Sequence, residues 1–170
     1  MARQRSRRDW KRTAIRRMEA SRRATLALVS RLPEEDVLRP RTFDRWSIKD
    51  VLAHVVAWEE ETVRRLHLIA RGRLDRVHWF HELVGADRFN ARAATAGRRQ
   101  SLAALLRRMA RVRRQLVTAL RSVPTGALRD RSNHYAVVDW LPELAWTHEQ
   151  EHLRELKAWW KKRRAASALR

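Results

Sequence analysis

His148 and His152 stand four residues apart in a stretch with helical spacing. On a helix this separation puts both imidazoles on one face with Cβ atoms about 6 Å apart, near enough to share one ion. The pair alone is weak evidence, since a half-buried His148 beside an exposed His152 is an ordinary outcome. His54 changes the balance: it lies inside a separate apolar helical pattern and is followed on the next turn by Trp58 and Glu59. Its ordinary reading is a core histidine satisfied by a neighbour. Three histidines drawn from two helices leave a tetrahedral or octahedral ion with positions open to water or substrate, as in catalytic rather than purely structural sites. A water held there is acidified toward neutral pH and becomes a nucleophile. Glu59 and Glu151 are the nearest carboxylates in sequence and hence the candidate catalytic groups, as orienters of a ligand histidine or as proton acceptors; each also reads as a plain solvated helix residue. The chain has no cysteine, which excludes disulfides, thiolate sites and thiol nucleophiles and leaves His, Asp and Glu as ligands.

The elements that must carry these residues are helices. Only 4 Gly and 4 Pro punctuate 170 residues, a length that suits one domain with its own core. Ile15, Met18, Leu26, Val29 and Leu32 recur at helical steps, interrupted at Arg22, and Pro33 ends the pattern; residues 33–46 read as a connection. Ser47 with Asp50 forms a capping-box start for a second helix, whose apolar stripe from Ile48 to Ile69 stops at Gly72. Residues 74–97 are mixed, with Val77, Phe80, His81 and Val84 suggesting one or two short crossing helices. Leu102, Leu105, Met109, Val112, Leu116, Ala119 and Val123 mark a third long helix ending before Pro124, with Arg107, Arg111, Arg114 and Arg121 on its solvent side. Asp139 is the expected cap of a last helix, with Pro142 in its first turn and Leu141, Leu144, His148, His152, Glu155 and Trp159 on one face. The class is all-α. The expected organisation is a basic, disordered arm or frayed helix start over 1–12, a bundle over 13–164 and a frayed tail over 165–170.

Around the histidines, Trp46, Trp58, Trp140 and Trp146 are candidates to line a pocket, although tryptophan at helical spacing is more often core. Tyr135 and His134, just before the last helix, could reach the site from a loop. His78 and His81 either cap the pocket or lie on the surface.

The net charge is +20, from 39 basic and 19 acidic residues. Such a field attracts nucleic acid, anionic lipid or acidic partners at low salt. Residues 1–23 alone hold ten basic side chains, and Arg3, Arg5, Arg7 and Arg8 are the candidate nucleic-acid contacts. The plainer explanation is compositional, since 34 of the 39 basic residues are arginine on solvent-facing helix positions. Residues 6–11 resemble a twin-arginine export signal, but charged residues come next where an apolar stretch would be needed, so a cytoplasmic location is expected. No run approaches the roughly 18 apolar residues that span a bilayer, so no membrane partner is expected.

The segment from Trp46 through His54 to Trp58 and Glu59 resembles the tryptophan-to-histidine signature on the second helix of DinB-like proteins, in particular the ClbS/DfsB branch. The segments 139–142 and 147–153 are similar to the last-helix region that carries the other two metal histidines there, and Phe89, Asn90 and Ala91 also look like that branch. The resemblance spans roughly residues 14–162. It implies an up-down-down-up four-helix bundle with a short helical crossing segment between helices two and three. It also implies a metal site near one end, lined by helices two and four, with zinc or nickel as the ion. Its members include thiol-dependent transferases, isomerases and proteins linked to protection against reactive natural products. With the three histidines it points to a metal-dependent hydrolase or transferase acting on a small reactive molecule, with a low-molecular-weight thiol as possible cosubstrate; the arginine-rich charge and the apolar helix faces keep as the alternative a non-enzymatic bundle that binds nucleic acid or sequesters a small molecule. A homodimer is compatible with either.

Overall fold

Helix ends fall where local chemistry stops the backbone ladder. The computed structural model describes residues 2–41, 46–80, 83–132 and 135–168, and these form seven α-helices. They are α1 (Ala2–Val29), α2 (Glu34–Leu38), α3 (Ile48–Ala70), α4 (Leu83–Arg98), α5 (Leu102–Ser122), α6 (Val137–Pro142) and α7 (His148–Ala168), with a π-helical turn, Glu143–Thr147, joining α6 to α7. No strand occurs among the described residues, and an isolated bridge pairs Pro40 with Ser47.

The capping box at α3 is present in full: Ser47 Oγ accepts from the Asp50 amide at 3.0 Å, and Asp50 accepts from the Ser47 amide at 2.9 Å. At the other end Gly72 takes φ +67, which lets the Arg73 amide reach the Leu68 carbonyl at 2.8 Å and close the last turn. Other expectations are corrected. Asp139 does not cap the last helix: α6 starts at Val137 after Ala136, without a side-chain cap, and Asp139 pairs instead with Arg131. The connection after Pro33 contains α2, and the crossing segment is dominated by the 16-residue α4. The backbone of residues 2–12, expected as an arm or frayed start, continues α1 without a break. Arginine, lysine and alanine are good helix formers, and Lys11 donates to the Val123 and Arg121 carbonyls, so the helix propagates backwards from packed turns.

Four long helices make the bundle, and their cross-links fix its directions. Lys49 on α3 reaches the Arg98 and Gln100 carbonyls, and Glu60 pairs with Arg108, so α3 and α5 run parallel. Lys11 meets the end of α5 while Arg22 meets Met109, so α1 opposes α5. Ser21 contacts Glu149, and Asp36 just past α1 pairs with Arg163, so α1 and α7 are parallel. The order is up-down-down-up.

The interior is divided. One apolar cluster holds Met18, Leu66, Leu116, Leu120, Leu141 and Trp146; the other holds Val29, Ile48, Leu52, Leu105, Met109 and Leu156. Between them in chain position each bundle helix contributes one charge to a buried layer: Arg22 on α1, Glu59 on α3, Arg113 on α5 and Glu149 on α7. No described helix is long and apolar enough to cross a membrane.

Candidate metal centre

His54 sits two turns into α3, and that end of the helix is held firmly. Lys49 ties it to the α4–α5 connection, and Arg98 reaches Asp50 at 3.1 and 3.3 Å. Gly97 of α4 lies against Ala53, where a Cβ on residue 97 would stand 2.3 Å from the Ala53 Cβ. Only glycine allows the two helices to approach this closely beside His54.

The last helix presents its pair by a different device. The π turn before His148 inserts one residue and rotates the downstream helix by about 100°. The buried face then runs through Leu141, Ala145, Trp146, Glu149, Leu153 and Leu156, with His148 and His152 at its margin. Leu144, which a straight helix would have aligned with His148 and His152, lies within the π turn and is half-buried, whereas Glu155 follows His152 by one turn of the regular helix and is exposed.

The three rings converge through Nε2. His148 Nε2 lies 2.8 Å from His54 Nε2 and 3.0 Å from His152 Nε2. Ligand nitrogens about 2.1 Å from one ion and about 90° apart would be about 3.0 Å from each other, so the spacing fits a shared divalent ion. Hydrogen bonding alone fits it poorly. An imidazole nitrogen offers one in-plane lone pair or one N–H, so His148 Nε2 can serve one close partner and not two. The group of three could therefore hold a metal ion.

Burial pushes His54 down to about 3, helped by its two histidine neighbours and opposed by Asn90, and pushes His148 down to about 4. At neutral pH both are uncharged, with lone pairs free for coordination. His152 Nδ1 lies 3.2 Å from Glu155 Oε2, the carboxylate–histidine arrangement that orients a ligand ring. The Nδ1 atoms of His54 and His148 are buried without a hydrogen-bond partner among the described residues.

An open cleft of about 570 Å³ reaches His54 and His152, walled by Trp46, Asp87, Asn90 and Glu155. Trp46 packs edge-on to His54, at 5.3 Å between ring centroids. Asn90 is fixed by the Trp58 indole, which donates to Oδ1 at 2.9 Å, so Trp58 shapes the cleft from behind while packing on Phe80 and Phe89. A larger cleft of about 1170 Å³ lies away from the histidines, between the first half of α1 and the end of α5.

Several sequence candidates belong elsewhere. Trp140 is buried against Trp79, and the exposed Tyr135 packs edge-on to the same ring. Trp146 is core, with its carbonyl accepting from Ser21. Glu59 is turned into the interior, where Arg22 Nη2 donates to it at 2.8 Å and Arg113 also pairs with it. Glu151 lies on the exposed face, 3.7 Å from Arg154. His78 is exposed beside Phe80. His81, His134 and the side chains of Arg3, Arg5, Arg7 and Arg8 lie outside the described residues. Sequence reasoning missed Asp87 and Glu155 in the cleft wall, and Asn90 as a site residue. The signal available for Glu155 was its position three residues after His152, one turn along the same helix.

A model of the DinB superfamily matches residues 17–156. No curated protein and no solved structure matches the chain. The matched span runs from the middle of α1 to the middle of α7 and takes in all three histidines. The chain belongs to the DinB superfamily.

Proposed function

We propose that the protein is a divalent-metal-dependent enzyme of the ClbS/DfsB type, cytoplasmic, that hydrolyses a small reactive molecule or transfers a thiol to it in self-protection. The observation that carries this reading is the trio of imidazole Nε2 atoms at 2.8 and 3.0 Å, two of them on rings kept neutral by burial. His54, His148 and His152 are the proposed ligands. Bound there, zinc or nickel supplies Lewis acidity and lowers the pKa of a water.

The chain's own groups do the rest. Glu155 orients His152 and stands exposed at the cleft rim. Trp46 offers an aromatic wall, and Asn90, locked by Trp58, offers its amide N–H groups to a substrate oxygen. A cleft of this volume suits a small molecule rather than a polymer. These features support a site with open coordination positions rather than a closed structural one.

The test begins with elemental analysis of untagged protein. Wild type is expected to carry about one zinc or nickel per chain, and His148→Ala with His152→Ala is expected to carry none while keeping its helical circular dichroism. The loaded protein is then assayed against activated esters and epoxides, with and without a low-molecular-weight thiol. A wild type that takes up no metal on reconstitution overturns the reading.

A further inference from the structure

Between Asp87 and Asp130 the chain holds eleven arginines and no carboxylate. Three of the eleven are used inside the fold: Arg98 and Arg108 pair with Asp50 and Glu60 of α3, and Arg113 belongs to the buried charge layer. Of the eight that remain, Arg107, Arg111, Arg114 and Arg121 stand at steps of four, three and seven along α5, all exposed. Among the described residues none of these four guanidinium groups forms an ion pair.

Compositional drift toward arginine does not account for this. Drift decides which cation occupies a solvent position; it does not remove anions. On α3 the exposed arginine is interleaved with acid, as in Arg64 with Glu61, and on α7 Arg154 has Glu151. Like charges three and four residues apart destabilise a helix by about 0.2–0.5 kcal/mol per pair, so the acid-free stripe is a cost to α5.

We propose that the exposed face of α5 docks on the phosphate backbone of double-stranded nucleic acid, without reading its sequence. From Arg107 to Arg121 the stripe is about 21 Å long at 1.5 Å per residue. A duplex presents about 12 phosphates over that length. Guanidinium forks match phosphate oxygens better than ammonium groups do, which suits a face made wholly of arginine. The exposed large apolar residues among those described are Leu38, Val84 and Tyr135, none on α5, so the face has nothing to insert into a bilayer. It also bears no aromatic on which unpaired bases could stack, which favours a duplex over a single strand. Through Arg121 the stripe joins the 1170 Å³ cleft against α1, where Lys11, Arg12 and Arg16 accompany Asp9 and Glu19.

The test is fluorescence anisotropy of the full chain with a 20-base-pair duplex of mixed sequence, at about 50 to 200 mM salt. Four phosphate contacts predict a slope of about −3.6 in log affinity against log salt, an approximately 150-fold loss over that range. Arg107→Gln, Arg111→Gln, Arg114→Gln and Arg121→Gln together should flatten the slope by about that amount. A control with Arg73, Arg76, Arg131 and Arg154 changed to Gln removes the same charge from other elements and should leave the slope near wild type. Equal weakening by both variants, no duplex binding by wild type at 50 mM salt, or tighter binding to a single strand or to phosphatidylglycerol vesicles overturns the proposal.

Discussion

Two polar clusters lie close together in this bundle and are built on opposite rules. The charge layer takes one residue from each bundle helix and sums to zero: Glu149 accepts from Arg22 Nε at 2.7 Å and from Arg113 Nη2 at 2.6 Å, Glu59 pairs with the Nη2 atoms of both arginines, and their Nη1 atoms donate to the Met109 and Met18 carbonyls. The histidine trio carries no counter-charge of its own, and its facing nitrogens cannot all be satisfied by one another. A network whose opposite charges balance and pair within the bundle reads as structure. An open one asks for a ligand and reads as a site. The difference also explains their reach, since the charge layer ties the register of four helices, whereas the trio engages only α3 and α7.

The sharpest way to break that comparison is to open the closed network. Glu59→Ala leaves two buried arginines to share Glu149, and the loss is expected to be about 3–5 kcal/mol in urea unfolding. Metal uptake measured well below the unfolding midpoint should persist. Replacing Arg22 with Met and Glu59 with Leu together leaves Arg113 and Glu149 paired, and this double variant should lie much nearer wild type. A Glu59→Ala protein as stable as wild type would mean that water reaches the layer and that the division into structure and site is mistaken.

The sequence exposed these two clusters unequally. The histidine trio was legible because its spacing is local: His148 and His152 are one turn apart, and His54 sits one turn past a capping box whose Ser47 and Asp50 announce the helix start. The charge layer is long-range. Arg22 looked like an interruption in an apolar stripe, and Glu59 like a candidate catalytic acid, because nothing near either residue names its partner. Only the placement of four charges at core phase on four helices hinted at a buried layer. The π turn was hidden for another reason. Its single inserted residue changes phase without leaving a breaker in the sequence, since Pro142 also fits an ordinary first turn. The long helices were readable from apolar periodicity and their bundle order from the family resemblance, but α4 was underestimated. Its tight contact with α3 depends on Gly97 meeting Ala53, which a periodicity argument counts merely as a weak position.

Gly97 offers a second, smaller test, directed at the open cluster alone. Gly97→Ala forces the α3 backbone away at Ala53, next to His54 and nearly two turns before Glu59. A cost of about 1–3 kcal/mol is expected, as for other overpacked contacts. Metal affinity should fall as well, because His54 moves relative to a pair held by α7. Calorimetric titration with zinc checks this, and an unchanged affinity would show that the trio tolerates displacement of one member.

A pH dependence distinguishes the clusters without moving either. In the metal-free folded chain His54 and His148 hold protons only near pH 3 and 4, because burial opposes their charge, while the unfolded chain takes them up near 6.5. Between these limits the unfolded state binds more protons, so acidification favours it: stability is level above about pH 7 and falls as pH drops from about 6.5 toward 4. Each ring contributes a slope of up to about 1.4 kcal/mol per pH unit. Urea unfolding in chelator from pH 7 to 4 should therefore show a gap between wild type and His54→Gln with His148→Gln that changes steadily across this window. Adding zinc to wild type should deepen the dependence, because the ion leaves as protons compete for the same nitrogens. A gap that stays constant would mean that the rings are charged in the folded protein, which requires an anion or solvent where the structure has buried imidazole.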